Sequence, residues 1–340
     1  MGLTDIPSFP LTSFYDYNAA RQLTNFMNFL RARSIDIVQT HDFYTNVFGM
    51  VGATAARVRI RIAAKRETGD VRTGAQSKAE KLAYKLSHAI VANADAVRRV
   101  LITQGIDENK IVTIYNGLDL ARLVMPTDFD RTVALSRLAL PMDKRFVTIV
   151  ANLRHPVKDH RTFLHAASLV RSEVTDAAFV LAGEGELLEP MRKLATELGI
   201  ARDVFFVGRC ERVNELLALS EVCVLSSTAE GFSNAILEYM GAGRPVVATD
   251  VGGAREAIRE GVTGFVVPVK NPEAMSKRIV ELLKDPKRAA TMGQAGRRVV
   301  EEEFACEVQL RRTEELYERL SSQQKVTLAD RKRLRSESLQ

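Results

Sequence analysis

Glu230 and Glu238 bracket the run Glu-Gly-Phe-Ser-Asn-Ala-Ile-Leu-Glu, in which a glycine-containing turn opens an apolar helical pattern. A helix that starts after such a loop presents unpaired N–H groups, and its dipole favours negative charge there. The amides of Gly231, Phe232, Ser233 and Asn234 are therefore candidates for phosphate oxygens. The carboxylates of Glu230 and Glu238 can accept hydrogen bonds from sugar hydroxyls. A ligand that is part phosphate and part polyol suits this combination, and a nucleotide sugar is such a ligand.

Other residues fit the same chemistry. Arg154 and Lys158 follow the apolar run Phe146–Val150, where a guanidinium fork and a mobile ammonium could clamp a diphosphate, although an ordinary basic loop has the same composition. His155 and His160 read as surface residues of that loop, and His88 and His165 as packing residues. Gly183-Glu-Gly185 follows the run Phe179–Ala182; Leu188 stands where a dinucleotide fingerprint needs its third glycine, so a dehydrogenase loses its main support. The two glycines still allow a tight turn or a close approach to a ligand. His41 sits just beyond the run Ile35–Gln39, where an imidazole could orient a substrate hydroxyl. Gly252-Gly253 is equally compatible with a plain turn.

The elements that must position these residues alternate along the chain. Candidate strands are 35–39, 58–63, 89–92, 111–114, 146–150, 178–182, 204–207, 222–225, 245–248 and 264–267, with amphipathic helical patterns between most of them. A repeating βα order predicts parallel sheets covered by helices, with ligands beyond the carboxyl ends of the strands. The fold class expected is α/β with two Rossmann-like domains. The first, 1–125, opens on a loop-like segment and holds four strand candidates, so it is expected to lack its first βα portion. A stretch after Asn116-Gly117 without strong periodicity reads as a linker. The second domain is 126–304, a further helix occupies 305–320, and the polar tail 321–340 is expected to be disordered.

With 340 residues, 46% apolar and 26% charged, the composition is that of an ordinary globular protein. Three scattered cysteines predict neither a disulfide framework nor a zinc site, and favour a reducing, cytoplasmic setting. No apolar run reaches the roughly 20 residues needed to span a bilayer. The net charge is +6, partly from the run Arg57–Arg66. That run reads either as a strand with one solvated face or as a patch drawn to anionic lipid headgroups or a phosphorylated acceptor; nucleic acid is not expected, because no recognition motif accompanies the charge.

The order of the Lys158 loop, Gly183-Glu-Gly185, Phe206-Val-Gly208 and Glu230-Gly-Phe-Ser-Asn-Ala-Ile-Leu-Glu238-Tyr-Met-Gly-Ala-Gly-Arg-Pro-Val-Val-Ala-Thr resembles the retaining GT-B glycosyltransferases of family 4. Asn116-Gly-Leu-Asp119 is similar to that family's interdomain hinge. The resemblance implies that Glu230 faces the donor sugar, with the amides 231–234 near sugar and diphosphate. It places Glu238 on the ribose, Lys158 on the diphosphate, Gly208 and Arg209 against the base, and His41 between donor sugar and acceptor. It also implies that the helix near Glu307–Leu320 crosses back onto the first domain. Two departures stand out. The family's Gly-Arg-Leu before the lysine is replaced by Ala151-Asn-Leu-Arg154, and its opening strand and glycine loop have no match before Asp36.

The reaction implied is transfer of a sugar from a UDP- or GDP-sugar to an acceptor hydroxyl with retention of anomeric configuration. The acceptor expected is a glycan or lipid-linked molecule of surface polysaccharide or glycolipid synthesis, met at the inner membrane face. Neither a metal nor another cofactor is expected, since basic side chains and a helix start can neutralise the phosphates. A nucleotide-sugar epimerase of similar build and a truncated, non-catalytic relative are the rival readings. A glycosidase, which also uses paired carboxylates, fits the basic 154–158 loop poorly.

Overall fold

The computed structural model describes residues 7–11, 13, 16–69 and 72–337. It begins with α1 (Tyr17–Ala32), β1 (Ile37–Gln39), α2 (Phe43–Ala55), β2 (Ile60–Lys65), α3 (Gly74–Leu86), β3 (Ala89–Ala92), α4 (Asp95–Thr103) and β4 (Ile111–Thr113). The four strands form a parallel sheet in sequential order. The segment expected to be a loop is largely α1, capped by Asp16 and packed through Leu23 and Phe26 onto Gly52 of α2. A methyl group at Gly52 would lie 2.6 Å from the Phe26 ring, so the two helices meet where a side chain is absent.

The second part runs α5 (Arg131–Arg137), β5 (Arg145–Val150), α6 (His160–Glu173), β6 (Ala177–Ala182), α7 (Leu188–Glu197), β7 (Val204–Gly208), α8 (Val213–Leu219) and β8 (Ser220–Leu225). It continues with α9 (Asn234–Gly241), β9 (Val246–Thr249), α10 (Ala254–Ala257), β10 (Gly264–Val267), α11 (Pro272–Lys284) and α12 (Pro286–Glu303). Its six strands are parallel in the order β10-β9-β8-β5-β6-β7. The chain winds in opposite directions on the two sides of β5, which opens a crevice between the loops after β5 and β8. All ten expected strands are present. β3, β6 and β9 are buried along their whole length, as parallel strands under helices are, whereas β1, β4 and β7 are only partly buried.

The stretch expected to be a linker carries a 3₁₀ turn, Leu120–Leu123, and α5, each begun by an aspartate cap, Asp119 and Asp130. The last helix, α13 (Cys306–Glu337), places Leu316 and Leu320 against Ile60 and Ile62 of the first sheet. It does not stop at 320: the polar tail expected to be disordered continues as helix to Glu337. The Lys, Arg, Leu and Gln residues of that stretch favour helix by intrinsic propensity. Among the described residues no helix is long and apolar enough to cross a membrane.

The basic run is mostly committed internally. Arg61 donates to the carbonyls of Leu86 and Val58, Lys65 pairs with buried Glu80 at 3.2 Å, and Arg66 donates to Asn116. These three cations thus have protein acceptors, whereas Arg57 and Arg59 of the same run are exposed.

Two histidines are held neutral by their surroundings. Burial, and then the charges of Arg61 and Lys110, push His88 down to about 4. His160, expected on the surface, is 3% exposed at the start of α6, and burial also lowers it to about 4. Both titrate from 6.5 when unfolded, so the unfolded chain binds more protons between about pH 4 and 6.5. Stability therefore falls as pH drops through that window. The unfolding midpoint should decline from about pH 6.5 to about pH 4, less steeply in His88→Gln; an unaltered slope in that variant would remove His88 from the effect.

Candidate functional site

Two loops of the second sheet build the site. After β5, residues Pro156–Lys158 form a 3₁₀ turn, and Asp159, in the left-handed region at φ 44°, caps α6 by accepting from Thr162. After β8, Ser226 Oγ donates to the Lys158 carbonyl at 2.8 Å, and the Thr228 amide donates to the Val157 carbonyl at 2.8 Å. These bonds lace the loops together, and Lys158 Nζ meets Glu230 Oε1 at 2.7 Å. Ser227 Oγ donates to the same carboxylate oxygen at 2.7 Å. The two charged side chains keep 24% and 15% of their exposure, so water screens this pair less than a surface pair.

Beside the pair lies a cavity of about 490 Å³, lined among others by Asn152, Arg154, Lys158, Gly183, Arg209 and Ala235. Among the described residues, neither the Arg154 nor the Arg209 guanidinium has a protein acceptor. The cavity also meets the first turn of α9. Ser233, at the N-cap, supplies no side-chain cap, so the opening amides of this helix lack that partner. A lysine with spare donors, two unpartnered guanidinium groups and an uncapped helix start thus converge on one space. That arrangement has the charge and the hydrogen-bond capacity to hold an anion.

Several glycines serve packing. A methyl group at Gly183 would lie 2.0 Å from the Ala151 carbonyl oxygen, and one at Gly185 would lie 2.2 Å from the Leu153 carbonyl carbon. Both let the β6 turn lie under the loop after β5, with Leu153 N–H donating to the Glu184 carbonyl at 2.8 Å. Gly183 also lines the cavity, whereas Gly185 does not. Gly208 accepts from the Gly183 amide at 2.8 Å and turns the chain towards Arg209 at φ 66°. Gly252 and Gly253 lie beneath the Glu230 loop, where a methyl group on Gly252 would be 2.3 Å from the Gly231 carbonyl oxygen.

The first sheet holds the other side of that loop. A methyl group at Gly231 would lie 2.0 Å from the Arg66 carbonyl oxygen. Thr68 Oγ1 donates to the Glu230 carbonyl at 2.5 Å. Asn116 Nδ2 donates to the Phe232 carbonyl at 3.1 Å and to Asn234 Oδ1 at 2.8 Å. The Phe232 ring points into the core against Tyr115 and Phe304, at centroid distances of 5.0 and 5.3 Å, so only its backbone can serve the site. Asn234 likewise spends its side-chain oxygen on Asn116. Arg66, Thr68 and the side-chain role of Asn116 escape sequence reading. Of the three, only Asn116 carried a signal, its Asn-Gly turn.

His41 lies two residues beyond β1, next to Asp42, which with Thr45 forms the capping box of α2. It lines two further cavities, of about 980 and 470 Å³, on the first-sheet side, and it does not line the cavity of Lys158. Partial burial and then the charge of Arg66 lower its pKa, which keeps the imidazole neutral near pH 7. Glu238 lies on α9 and lines a cavity of about 390 Å³ with Arg122, Arg209 and Glu211. Burial raises its pKa, and the charge of Arg122 opposes that rise. Arg209 and Cys210 line both this cavity and that of Lys158, which makes the two spaces neighbours. Among the described residues no cluster of three or more His, Cys, Asp or Glu side chains could hold a metal ion.

A two-sheet α/β protein with unpartnered cations gathered beside the switch between β5 and β8 matches known proteins along its length. Residues 130–299 match the model of glycosyl transferases group 1, and residues 2–122 match that of glycosyltransferase family 4. The chain belongs to this glycosyltransferase family. It is similar to the N-acetyl-alpha-D-glucosaminyl L-malate synthase of Bacillus anthracis, at 31% identity over 61% of this chain and 53% of that protein. It is also similar to a GDP-mannose-dependent phosphatidylinositol monomannoside mannosyltransferase of Mycobacterium tuberculosis, at 35% identity over 42% of this chain and 39% of the relative. The matches thus span about half, or less, of these relatives' length. Anabaena HepE, solved in complex with UDP, superposes with a TM-score of 0.79 at 21% identity, covering 89% of this chain and 82% of that one. The fold is that of the GT-B glycosyltransferases.

The approach of Gly231 to Arg66 yields a direct test. Gly231→Ala should lower stability in urea by roughly 1–3 kcal/mol, because backbone, not a side-chain tip, occupies the space. Gly74→Ala, where nothing lies within 4 Å of an added methyl group, should change it little. Equal effects of the two substitutions would dismiss the contact as a constraint.

Proposed function

We propose that the protein transfers a sugar from a nucleoside diphosphate sugar, UDP- or GDP-linked, to an acceptor hydroxyl with retention of anomeric configuration. The observation that carries this reading is the convergence of Lys158, Arg154, Arg209 and the uncapped start of α9 on one cavity beside Glu230. Family membership and the UDP held by Anabaena HepE support a donor of this class.

In this reading 126–304 is the donor-side unit and 1–125 the acceptor-side unit. The diphosphate occupies the cavity by Lys158. The ammonium gives one hydrogen bond to Glu230, which leaves two donors for phosphate oxygens. Glu230 accepts from the donor sugar's hydroxyls, and Glu238 from the ribose. When the anomeric C–O bond breaks, its electron pair goes to the phosphate oxygen. Lys158, Arg154 and the α9 amides stand where that negative charge grows. The acceptor oxygen then bonds to the same carbon, and its proton passes to the departing phosphate oxygen. His41, uncharged near pH 7, faces the acceptor side and can orient the incoming hydroxyl. A glycan or lipid-linked acceptor fits the name of the Mycobacterium tuberculosis relative, whereas the Bacillus anthracis relative is named for malate.

Incubation with labelled UDP-glucose, UDP-N-acetylglucosamine and GDP-mannose tests the reading. Transfer or slow hydrolysis is expected. An isomerised sugar would indicate an epimerase instead, and binding without turnover a non-catalytic relative. Lys158→Ala should reduce kcat by about 10²–10³, corresponding to ~2.7–4 kcal/mol of lost transition-state stabilisation. Unchanged turnover in that variant would strike Lys158 from the mechanism.

A further inference from the structure

The Glu238 carboxylate accepts no hydrogen bond from any described residue, although burial makes its charge costly. One cation faces it from outside the donor-side sheet. Arg122 lies in the 3₁₀ turn of the connector between the two sheets, begun by Asp119, whose side chain accepts from the Ala121 amide at 3.1 Å. Leu118, Leu120 and Leu123 of this connector press on Gly241: a methyl group there would lie 2.8, 3.4 and 2.8 Å from their side chains. Gly241 follows Glu238 by one turn of α9, on the same face. The far end is tied by Asn214 Nδ2 donating to the Val124 carbonyl at 3.0 Å. Between these anchors the Arg122 guanidinium has no acceptor among the described residues, and it lines the same cavity as Glu238.

We propose that Arg122 is a donor-side positioning residue, whose guanidinium steadies the Glu238 carboxylate for the diol of a bound nucleotide's ribose. The inference rests on the donor-site reading above and adds to it a residue from the connector. No ion pair joins the two side chains across the cavity, so room remains between them. Arg209 and Glu211 are the other charged groups of this cavity. They come from the β7–α8 loop of the donor-side unit itself, whereas Arg122 is carried by the segment that links the two sheets. Occupation of the ribose subsite is thereby tied to the seating of that segment.

The test is calorimetric titration of the full chain with UDP and GDP, and with their 2′,3′-dideoxy counterparts. The unmodified protein should prefer the ribonucleotide. Arg122→Ala should weaken the preferred ribonucleotide about fivefold and the dideoxy form less than about twofold. Arg122→Lys should restore most of the difference. In a Glu238→Gln background, Arg122→Ala should add nothing. A ribo-to-dideoxy ratio that Arg122→Ala leaves unaltered overturns the proposal. If neither UDP nor GDP binds the unmodified protein, the donor-site reading falls, and this inference with it. The unfolding midpoint of each variant checks the fold. Should Arg122→Ala unfold, Arg122→Gln carries the same comparison.

Discussion

The contact between the backbones at Gly231 and Arg66 is the constraint on which the site depends. No side chain fits between them, because a Cβ would sit 2.0 Å from a carbonyl oxygen. With glycine there, the two sheets come close enough for Thr68 to reach the Glu230 carbonyl and for Asn116 to reach Phe232 and Asn234. The loop of Glu230 is then held from the first-sheet side by these bonds and from below by Gly252-Gly253. Only a loop fixed on both sides can present a carboxylate at one place and leave the next helix start bare.

Charge is distributed unevenly around that loop. Three basic residues in and beside β2 have acceptors: Lys65 has Glu80, Arg61 has carbonyls, and Arg66 has Asn116. Across the crevice, Arg154 and Arg209 have none among the described residues, and Lys158 shares Glu230 with Ser227. Net charge alone does not separate the two basic segments. An anion is drawn to where positive charge lacks a partner, and Arg154 and Arg209 beside the switch between β5 and β8 meet that condition. A buried carboxylate such as Glu80, taking hydrogen bonds from Lys65, Arg72 and Tyr84, instead marks charge already used for structure.

Most of this framework was legible in the sequence for a physical reason. Strands of a parallel sheet covered on both faces read as short apolar runs, and all ten stand out. Arg154, Lys158, Arg209 and Glu230 lie in loops that follow strands, where the βα order alone places them, and Glu238 lies on the helix that follows the Glu230 loop. What stayed hidden depends on contacts distant in sequence. α1 contains Asn18, Asn25 and Asn28, which weaken its helical signal, and its docking on the bare surface of Gly52 cannot be seen from spacing. His160 reads as a loop residue until Asp159, turned to φ 44°, makes it the first residue of a buried helix. Phe232 and Gly185 sit within the expected motifs, yet one ring fills the core and the other residue makes room for a neighbouring loop.

The start of α4 has a further meaning. Its N-cap, Ala94, offers no side-chain oxygen, and the carboxylate of Glu256, from α10 of the other sheet, accepts from the Asp95 and Ala96 amides at 2.6 and 2.7 Å. A helix whose cap is on loan from another module is incomplete once that module is exchanged. Chimaeras that graft a different donor half onto this acceptor half must therefore bring an acidic residue to the same spot, or accept a frayed helix at the seam.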